Sequence, residues 1–407
     1  MINHEQLFST ALGLEDPIYV KEVTFDAKTG ELHLYLDFQK GSRFTCPVCG
    51  KEKQPVHDTL EKTWRHLNFF QYKTYIHFRT PRINCGKDGV KMIKVPWAKP
   101  GSGFTLLFEA LVLQLAEAMA VSQIAQVLGE YDNRIWRIIG RYVQESIKNA
   151  DYSEIKTIGI DETSSKKRHN YVTLFMDMDK RRVVFATPGK DSHVLKAFKK
   201  MLKDRRIEPS QINEICADMS PAFRKGIQED FPVAQLTFDK FHVMKLINEA
   251  VDQIRRSEQK NVQTLKRSRY LWLRNPENLN SKQETILGEL KSLNLKTVRA
   301  YRLKLALQDI YRHAANREIA ELHLKKWYSW AIRSRLEPIR NFARVIKNNW
   351  NGVLNYFDSR ITNGVLEGMN SIVQAARTRA RGYRNVDRFI MMIYLLGGKL
   401  DLPVFKV

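Results

Sequence analysis

KTIGIDE, residues 156–162, is the stretch whose reading decides the fold. Thr157-Ile158-Gly159-Ile160 is a short apolar run, and it delivers an acid, Asp161. The pattern returns in EICAD, residues 214–218, where Glu214-Ile215-Cys216-Ala217 runs into Asp218. Short buried strands that each end in a carboxylate are a common way to hold divalent metals at the edge of a sheet. As parallel neighbours their carboxyl ends would lie about 4.8 Å apart. Two acids so close repel when empty and stay ionised together only around a cation such as Mg2+ or Mn2+.

The surrounding rhythm is α/β. Strand Lys156–Asp161 is expected to lead into a hairpin, Tyr171–Asp177 and Arg182–Pro188, and then a helix from about Ser192 to Asp204. Strand Glu214–Asp218, helix Pro221–Asp230, strand Ala234–Asp239 and helix Phe241–Arg256 follow. Three strands, a helix, a strand, a helix and a strand is the order of an RNase H-like core. Residues 257–335 break that rhythm. They are basic and read as four helices, Val262–Trp272, Lys282–Leu293, Thr297–Arg312 and Ile319–Ser334, an all-helical insertion.

A third acid, Glu367, falls in a helical stretch. Asn363, Glu367, Asn370, Gln374, Arg377 and Arg381 share one face at helical spacing. Ile372, Val373, Ala375 and Ala376 lie off it and are expected to pack on the sheet. The polar face combines an acid for metal with arginines for phosphate. The plain alternative is a solvated helix acid; the two strand-end aspartates argue against it. Glu162 and Asp239 are substitutes should one acid be misassigned. His242, between a strand and a helix, could orient an acid or a phosphate. Cys216 reads as core.

The N-terminal part is built differently. Residues 17–40 read as a β-hairpin turning at Lys28-Thr29-Gly30. Cys46-Pro47-Val48-Cys49-Gly50 is half of a zinc site, because the turn points both thiols at one metal. Cys85 is a third ligand from a separate segment; Asp88, His57 and His66 are candidates for the fourth. The plain alternative is a pair of inert small hydrophobes. After Lys99-Pro100-Gly101-Ser102-Gly103, residues 104–148 are helical by period, with Ser122 and Asp132 as N-caps, and read as a helix-turn-helix. On its last helix Asn133, Arg134, Arg137, Arg141 and Gln144 project from the apolar stripe and could read base edges or grip phosphate. The divisions are thus 1–100, 101–150, 151–256, 257–335 and 336–407.

The chain has 407 residues, 43% of them hydrophobic, and a net charge of +23. Such an excess points to a polyanionic partner. No segment is apolar for long enough to span a bilayer, and MINHEQLFSTALGLED is no signal peptide. The cytoplasm is expected. Four cysteines at these spacings do not form a disulfide framework.

These motifs resemble those of a known family. CPVCG at 46–50, VPWA at 95–98, GIDE at 159–162, ADMSPAF at 217–223, FDKFHV at 238–243, ITNGVLEGMN at 361–370 and RARGYRN at 379–385 look like those of bacterial insertion-sequence transposases of the ISL-three type, a class of DDE transposase. The resemblance covers nearly the whole chain. It implies a multidomain α/β protein: an RNase H-like catalytic core with an all-helical insertion, preceded by a small β-rich zinc-knuckle domain and a helix-turn-helix. It implies Asp161, Asp218 and Glu367 as catalytic acids around two Mg2+ (or Mn2+) ions, and Asp239 and His242 as a D-x-x-H signature. The implied partners are the terminal inverted repeats of the element and target DNA, bound by a homodimer or higher oligomer near the nucleoid. Relatives usually carry a second C-x-x-C knuckle. Here Cys85-Gly86-Lys87-Asp88 offers one cysteine, with Asp88 at the knuckle spacing as first choice for the fourth zinc ligand. A non-catalytic DNA-binding regulator would not need three metal-spaced acids; an RNase H-like nuclease would cut without joining.

Overall fold

A computed structural model describes residues 3–166 and 170–403. They form two compact units, one reaching to Asn149 and joined by the residues from Leu400, the other Ala150–Lys399.

The first unit opens with helix α1 (His4–Ala11), closed by a capping box between Asn3 and Gln6. Strands β1 (Ile18–Asp26), β2 (Glu31–Phe38), β3 (Arg43–Phe44), β4 (Gln54–Phe69), β5 (Tyr72–Cys85) and β6 (Gly89–Met92) follow. Their order is β1-β2-β5-β4-β3, with β6 beside β5. The β1–β2 hairpin is the one expected from the alternation. Its turn is held by Asp26 Oδ1, which accepts from the Lys28 amide at 2.8 Å, and by Gly30 at a left-handed φ of +68°. Leu32, Leu34, Leu36, Trp64, Ile76 and Phe78 bury one face of the sheet. Helices α2 (Leu106–Ala118), α3 (Val121–Leu128) and α4 (Asp132–Asn149) complete the unit. Ser122 is not the cap of α3: the helix starts a residue before it, with Ala120 at the N-cap, and the Gln123 side chain accepts from the Ala120 amide at 3.3 Å. Two residues of β4 lock strand to helices. His66 Nδ1 meets Thr105 Oγ1 at 2.9 Å, and buried Arg65 lies 3.6 Å from Glu130.

The second unit has a five-stranded sheet of β7 (Thr157–Lys166), β8 (Asn170–Asp177), β9 (Arg182–Pro188), β10 (Glu214–Ala217) and β11 (Gln235–Phe238), in the order β11-β10-β7-β8-β9. β7, β10 and β11 run parallel; β7, β8 and β9 are antiparallel. Ile158, Ile160 and Ile215 pack against Phe198 of α5 (His193–Asp204) and Phe223 of α6 (Pro221–Asp230). β7 does not stop at Asp161 as expected. It runs on to Lys166, because its polar second half, Glu162 to Ser164, pairs with β8.

After α7 (Lys240–Glu258) come α8 (Arg269–Leu273), α9 (Ser281–Ser292), α10 (Lys296–His313), α11 (Arg317–Arg333), α12 (Glu337–Asn348) and α13 (Trp350–Ser359). The expected helix Val262–Trp272 is broken by Arg267, at a left-handed φ of +60°, and only its end is α-helical. One core, with Trp272, Tyr301, Trp327 and Phe342, joins α7 to α13. α10 lacks a side-chain cap of its own; Glu258 supplies it from α7, accepting from the Lys296 and Thr297 amides at 2.8 Å each.

α14 (Gly364–Arg379) and α15 (Val386–Gly397) cover the other face of the sheet. Tyr394 of α15 accepts from the Ala186 amide of β9 at 3.1 Å. α14 lies along β7, and Gly159 makes this possible. A Cβ there would stand 2.5 Å from Met178 Sδ and closer still to Leu366 of α14. Gly159→Ala should therefore lift α14 from β7, lowering stability by about 1–3 kcal/mol. Denaturant unfolding checks this; a wild-type unfolding curve would show that α14 does not depend on the missing side chain.

Candidate active site

The parallel ladder of β7 and β10 ends with Gly159 opposite Cys216. Asp161, within β7, and Asp218, the residue after β10, each lie two residues beyond that pair. Asp218 Oδ1 accepts from the Ser220 amide at 2.9 Å, turning the chain into α6. Asp161 Oδ1 accepts from the Glu162 amide at 2.8 Å, and its Oδ2 from Asn370 Nδ2 of α14 at 2.5 Å.

α14 meets β7 along the polar face read from the sequence. Asn363 Nδ2 donates to the Ile160 carbonyl at 3.3 Å, Gln374 to Thr163, and Arg377 Nη1 to the Ser164 carbonyl at 2.9 Å and its hydroxyl at 2.5 Å. Of the apolar residues expected to pack on the sheet, Val373 and Ala376 are buried, whereas Ile372 and Ala375 are exposed and do not cover it. Arg377 is thereby tied to the strand, whereas Arg381 lies exposed past the helix end at a left-handed φ of +55°.

Glu367 sits one turn from Asn363, its amide donating to the Asn363 carbonyl at 2.7 Å. Buried Asp239 ties the next element in: its Oδ1 accepts from the Asn363 amide at 3.2 Å, and its Oδ2 meets His242 Nδ1 at 3.2 Å. Burial pushes Asp161 above the usual carboxylate range, and Asp218 adds to it. Burial, then Asp239 and Asp161, does the same to Glu367. Glu162 is pushed up to about 7 by burial and by Asp218. His242 is raised by its bond to Asp239 and by the charges of Asp239, Asp218 and Asp161. Glu367 Oε1, Asn363 Oδ1 and Asn370 Oδ1 are buried without a hydrogen-bond partner. All three are acceptors in a field of acids, so what they lack is a cation or a donor.

In the first unit the structure gathers Cys46, Cys49, Cys85 and Asp88, with all four ligand atoms within 4.8 Å of one another. Cys49 and Cys85 sulfurs stand 3.6 Å apart, and Asp88 Oδ2 lies 3.4 Å from Cys46 and 3.6 Å from Cys85. Sulfurs on a tetrahedral zinc are about 3.8 Å apart, so the spacing fits. Asp88 beside it pushes the Cys49 thiol up to about 12, while the Asp88 and Lys87 amides lower Cys85. His57 pairs instead with Asp58 at 3.2 Å, and His66 with Thr105. Among the described residues no other group of three or more acids, cysteines or histidines converges so closely, and Asp161, Asp218 and Glu367 are not such a group.

Of the helix-turn-helix arginines, Arg134 pairs with Glu130 at 2.5 Å and stacks on Phe104, and Arg141 pairs with Glu109. Glu109 is fully buried within α2, and no spacing in the sequence marked it as the partner. Arg137 is exposed. With Gly101 to Phe104 the three arginines line a cleft of about 240 Å³.

A unit with a helix-turn-helix and a unit with paired carboxylates at adjacent parallel strands of one sheet have the build of a DNA transposase. A family model described as a transposase matches residues 158–393, more than half of the chain. Models for the helix-turn-helix domain of transposase family ISL3 and for the zinc finger of transposases IS204/IS1001/IS1096/IS1165 match residues 93–143 and 42–87. The chain belongs to the ISL3 family of DDE transposases, enzymes of DNA cleavage and transfer. Similar proteins include the transposase for insertion sequence element IS1557 of Mycobacterium tuberculosis, 28% identical over 435 residues, covering 98% of this chain and 97% of that one. The transposase for insertion sequence element IS1001 of Bordetella parapertussis is 26% identical over 359 residues, covering 86% and 87%. No helix among the described residues is long and apolar enough to cross a membrane.

Burial holds His66 down to about 4, from an ordinary 6.5. Between those values the unfolded chain binds a proton that the folded chain does not, so stability is lost as pH falls from 6.5 to 4. The loss should be on the order of 3 kcal/mol and should appear as faster hydrogen exchange of β4 and α2 amides, corrected for the intrinsic rate. His66→Gln should flatten this dependence; an equally steep loss in the variant would assign it to other groups.

Proposed function

We propose that this transposase binds the terminal inverted repeats of its element and cleaves and joins DNA at a site made by Asp161, Asp218 and Glu367 on an RNase H-like core. The observation that carries the reading is the register of β7 and β10, which supports a pair of side-by-side aspartates with the Glu367 helix clamped beside them. The strand order β11-β10-β7-β8-β9, with two antiparallel pairings followed on the other side of β7 by two parallel ones, supports the core. The orphaned acceptors and the raised carboxyls fit two divalent cations, Mg2+ or Mn2+, held by the three acids. Such ions supply a nucleophile at neutral pH and stabilise the leaving oxygen. Asp239 and His242 are support: Asp239 fixes the imidazole and the start of α14, and His242 offsets the acids' mutual repulsion. Arg381 contacts DNA phosphate, while Arg377 steadies the β7–β8 hairpin that α14 lies on. The first unit recognises the repeats through α4, with Arg137 at the surface and Arg134 and Arg141 oriented by their acids. The active form is a homodimer or higher oligomer on DNA, in the cytoplasm at the nucleoid.

Loss of a neighbour that merely orients a metal ligand costs 10–100-fold, so loss of a ligand should cost more than about 100-fold. Asp161→Asn, Asp218→Asn and Glu367→Gln should each lose that much cleavage and joining while keeping end binding. Assays on DNA bearing the element's own ends, with Mg2+, check this. Near-normal cleavage by any one variant removes that residue from the site.

Cys46, Cys49, Cys85 and Asp88 hold a structural zinc that ties β5 and β6 to the knuckle. Purified protein should contain about one zinc per chain. Asp88→Cys should hold it more tightly against a chelator, since thiolate is the softer ligand. Metal-free protein with an intact first unit would count against the site.

A further inference from the structure

Asn370 lies one turn beyond Glu367 on α14. Its amide is used at one end only. Nδ2 donates to Asp161 Oδ2 at 2.5 Å, while Oδ1 is buried and has no partner. The orientation is set by chemistry: turned over, the amide would press its oxygen on a carboxylate. An unpaired buried acceptor is unfavourable, because it has given up water for nothing. Here Glu367 Oε1, on the same helix, is unpaired as well. Asn363 has a different task. Its side chain spans to Ile160, its amide to Asp239, and it acts as a strut between β7 and α7. Asn370 alone among the helix's amides touches an acid of the site directly.

We propose that Asn370 is a positioning residue of the acid site: its amide nitrogen fixes the rotamer of Asp161, and its amide oxygen takes a place in the coordination shell of the divalent cation that Asp161 holds, directly or through one water. Amide oxygens are ordinary ligands for such hard cations. The inference rests on the reading of Asp161 as a metal ligand. It explains why the oxygen is left bare while the nitrogen of the same amide is bonded.

The test is Mn2+ binding to the full chain without DNA, read by electron paramagnetic resonance, with Asp161→Asn as reference. Wild type should bind Mn2+ at a site that Asp161→Asn loses. Asn370→Leu should weaken that site by about 10-fold or more with an unchanged melting curve. Asn370→Asp, which places a charged oxygen where the amide oxygen was, should tighten it by about 10-fold even though the bond to Asp161 is gone. Weaker binding by folded Asn370→Asp would mean that only the hydrogen bond matters and would overturn the proposal. If Asn370→Asp does not fold, Asn370→Leu and Asn370→Ser decide: wild-type affinity in both overturns it. Equal binding by wild type and Asp161→Asn would instead sink the metal-site reading itself.

Discussion

The contact between α14 and β7 is the constraint on which the second unit's chemistry depends. A helix can approach a strand this closely only where one residue has no side chain, and Gly159 supplies that gap two residues before Asp161. The approach brings amide and guanidinium donors of α14 within reach of Ile160, Asp161, Thr163 and Ser164. An acid far downstream in sequence is thereby fixed beside one on the first strand of the sheet. Asn363 extends the same bolt to Asp239 and so to α7, which opens the helical block.

That geometry carries an electrostatic cost. Asp161, Glu162 and Glu367 are all pushed above their ordinary range, burial being the leading cause and neighbouring acids the next. His242, raised by its bond to Asp239 and by the charges of Asp239, Asp218 and Asp161, supplies partial compensation from within the fold. A site so arranged is not optimised for the empty state. Its buried acceptors without donors are the counterpart in hydrogen bonding of the same imbalance in charge. Both are relieved by positive charge arriving from outside.

Much of this was legible in the sequence, for reasons that can be named. The alternation of Ile18 to Phe38 and the acid-terminated runs at 157–161 and 214–218 follow from which faces are buried. Glu367 stands out in the sequence because its helix carries a polar face with a clear period. What failed was the inference that apolar residues alone mark the side facing a strand. β7 offers the Ile160 and Ser164 carbonyls and the Thr163 hydroxyl to α14, and such groups must be paired. A polar helix face is the better complement to that surface. The long strand β4 escaped notice because Asp58, Glu61, Lys62, Arg65 and His66 hide its alternation, the last two being charged or titratable residues turned inward.

The same lesson governs the helix-turn-helix. Charge alone marked Arg134, Arg137 and Arg141 as equivalent, but charge does not tell a ligand-seeking cation from a counterion. Glu109, buried in an apolar helix, needs a counter-charge within the fold, which Arg141 supplies, and Tyr142 donates a hydrogen bond to it. Arg134 is committed likewise to Glu130, which also neighbours buried Arg65. These two arginines belong to the packing that orients α4 on α2 and β4. Their guanidinium groups still border the cleft at Gly101 to Phe104, so they present fixed positive charge at its wall. Arg137, exposed between them, keeps the side-chain freedom that following a phosphate or a base edge requires. The face of α4 is thus two rigid cations flanking one adaptable one, an arrangement set by acids on other elements.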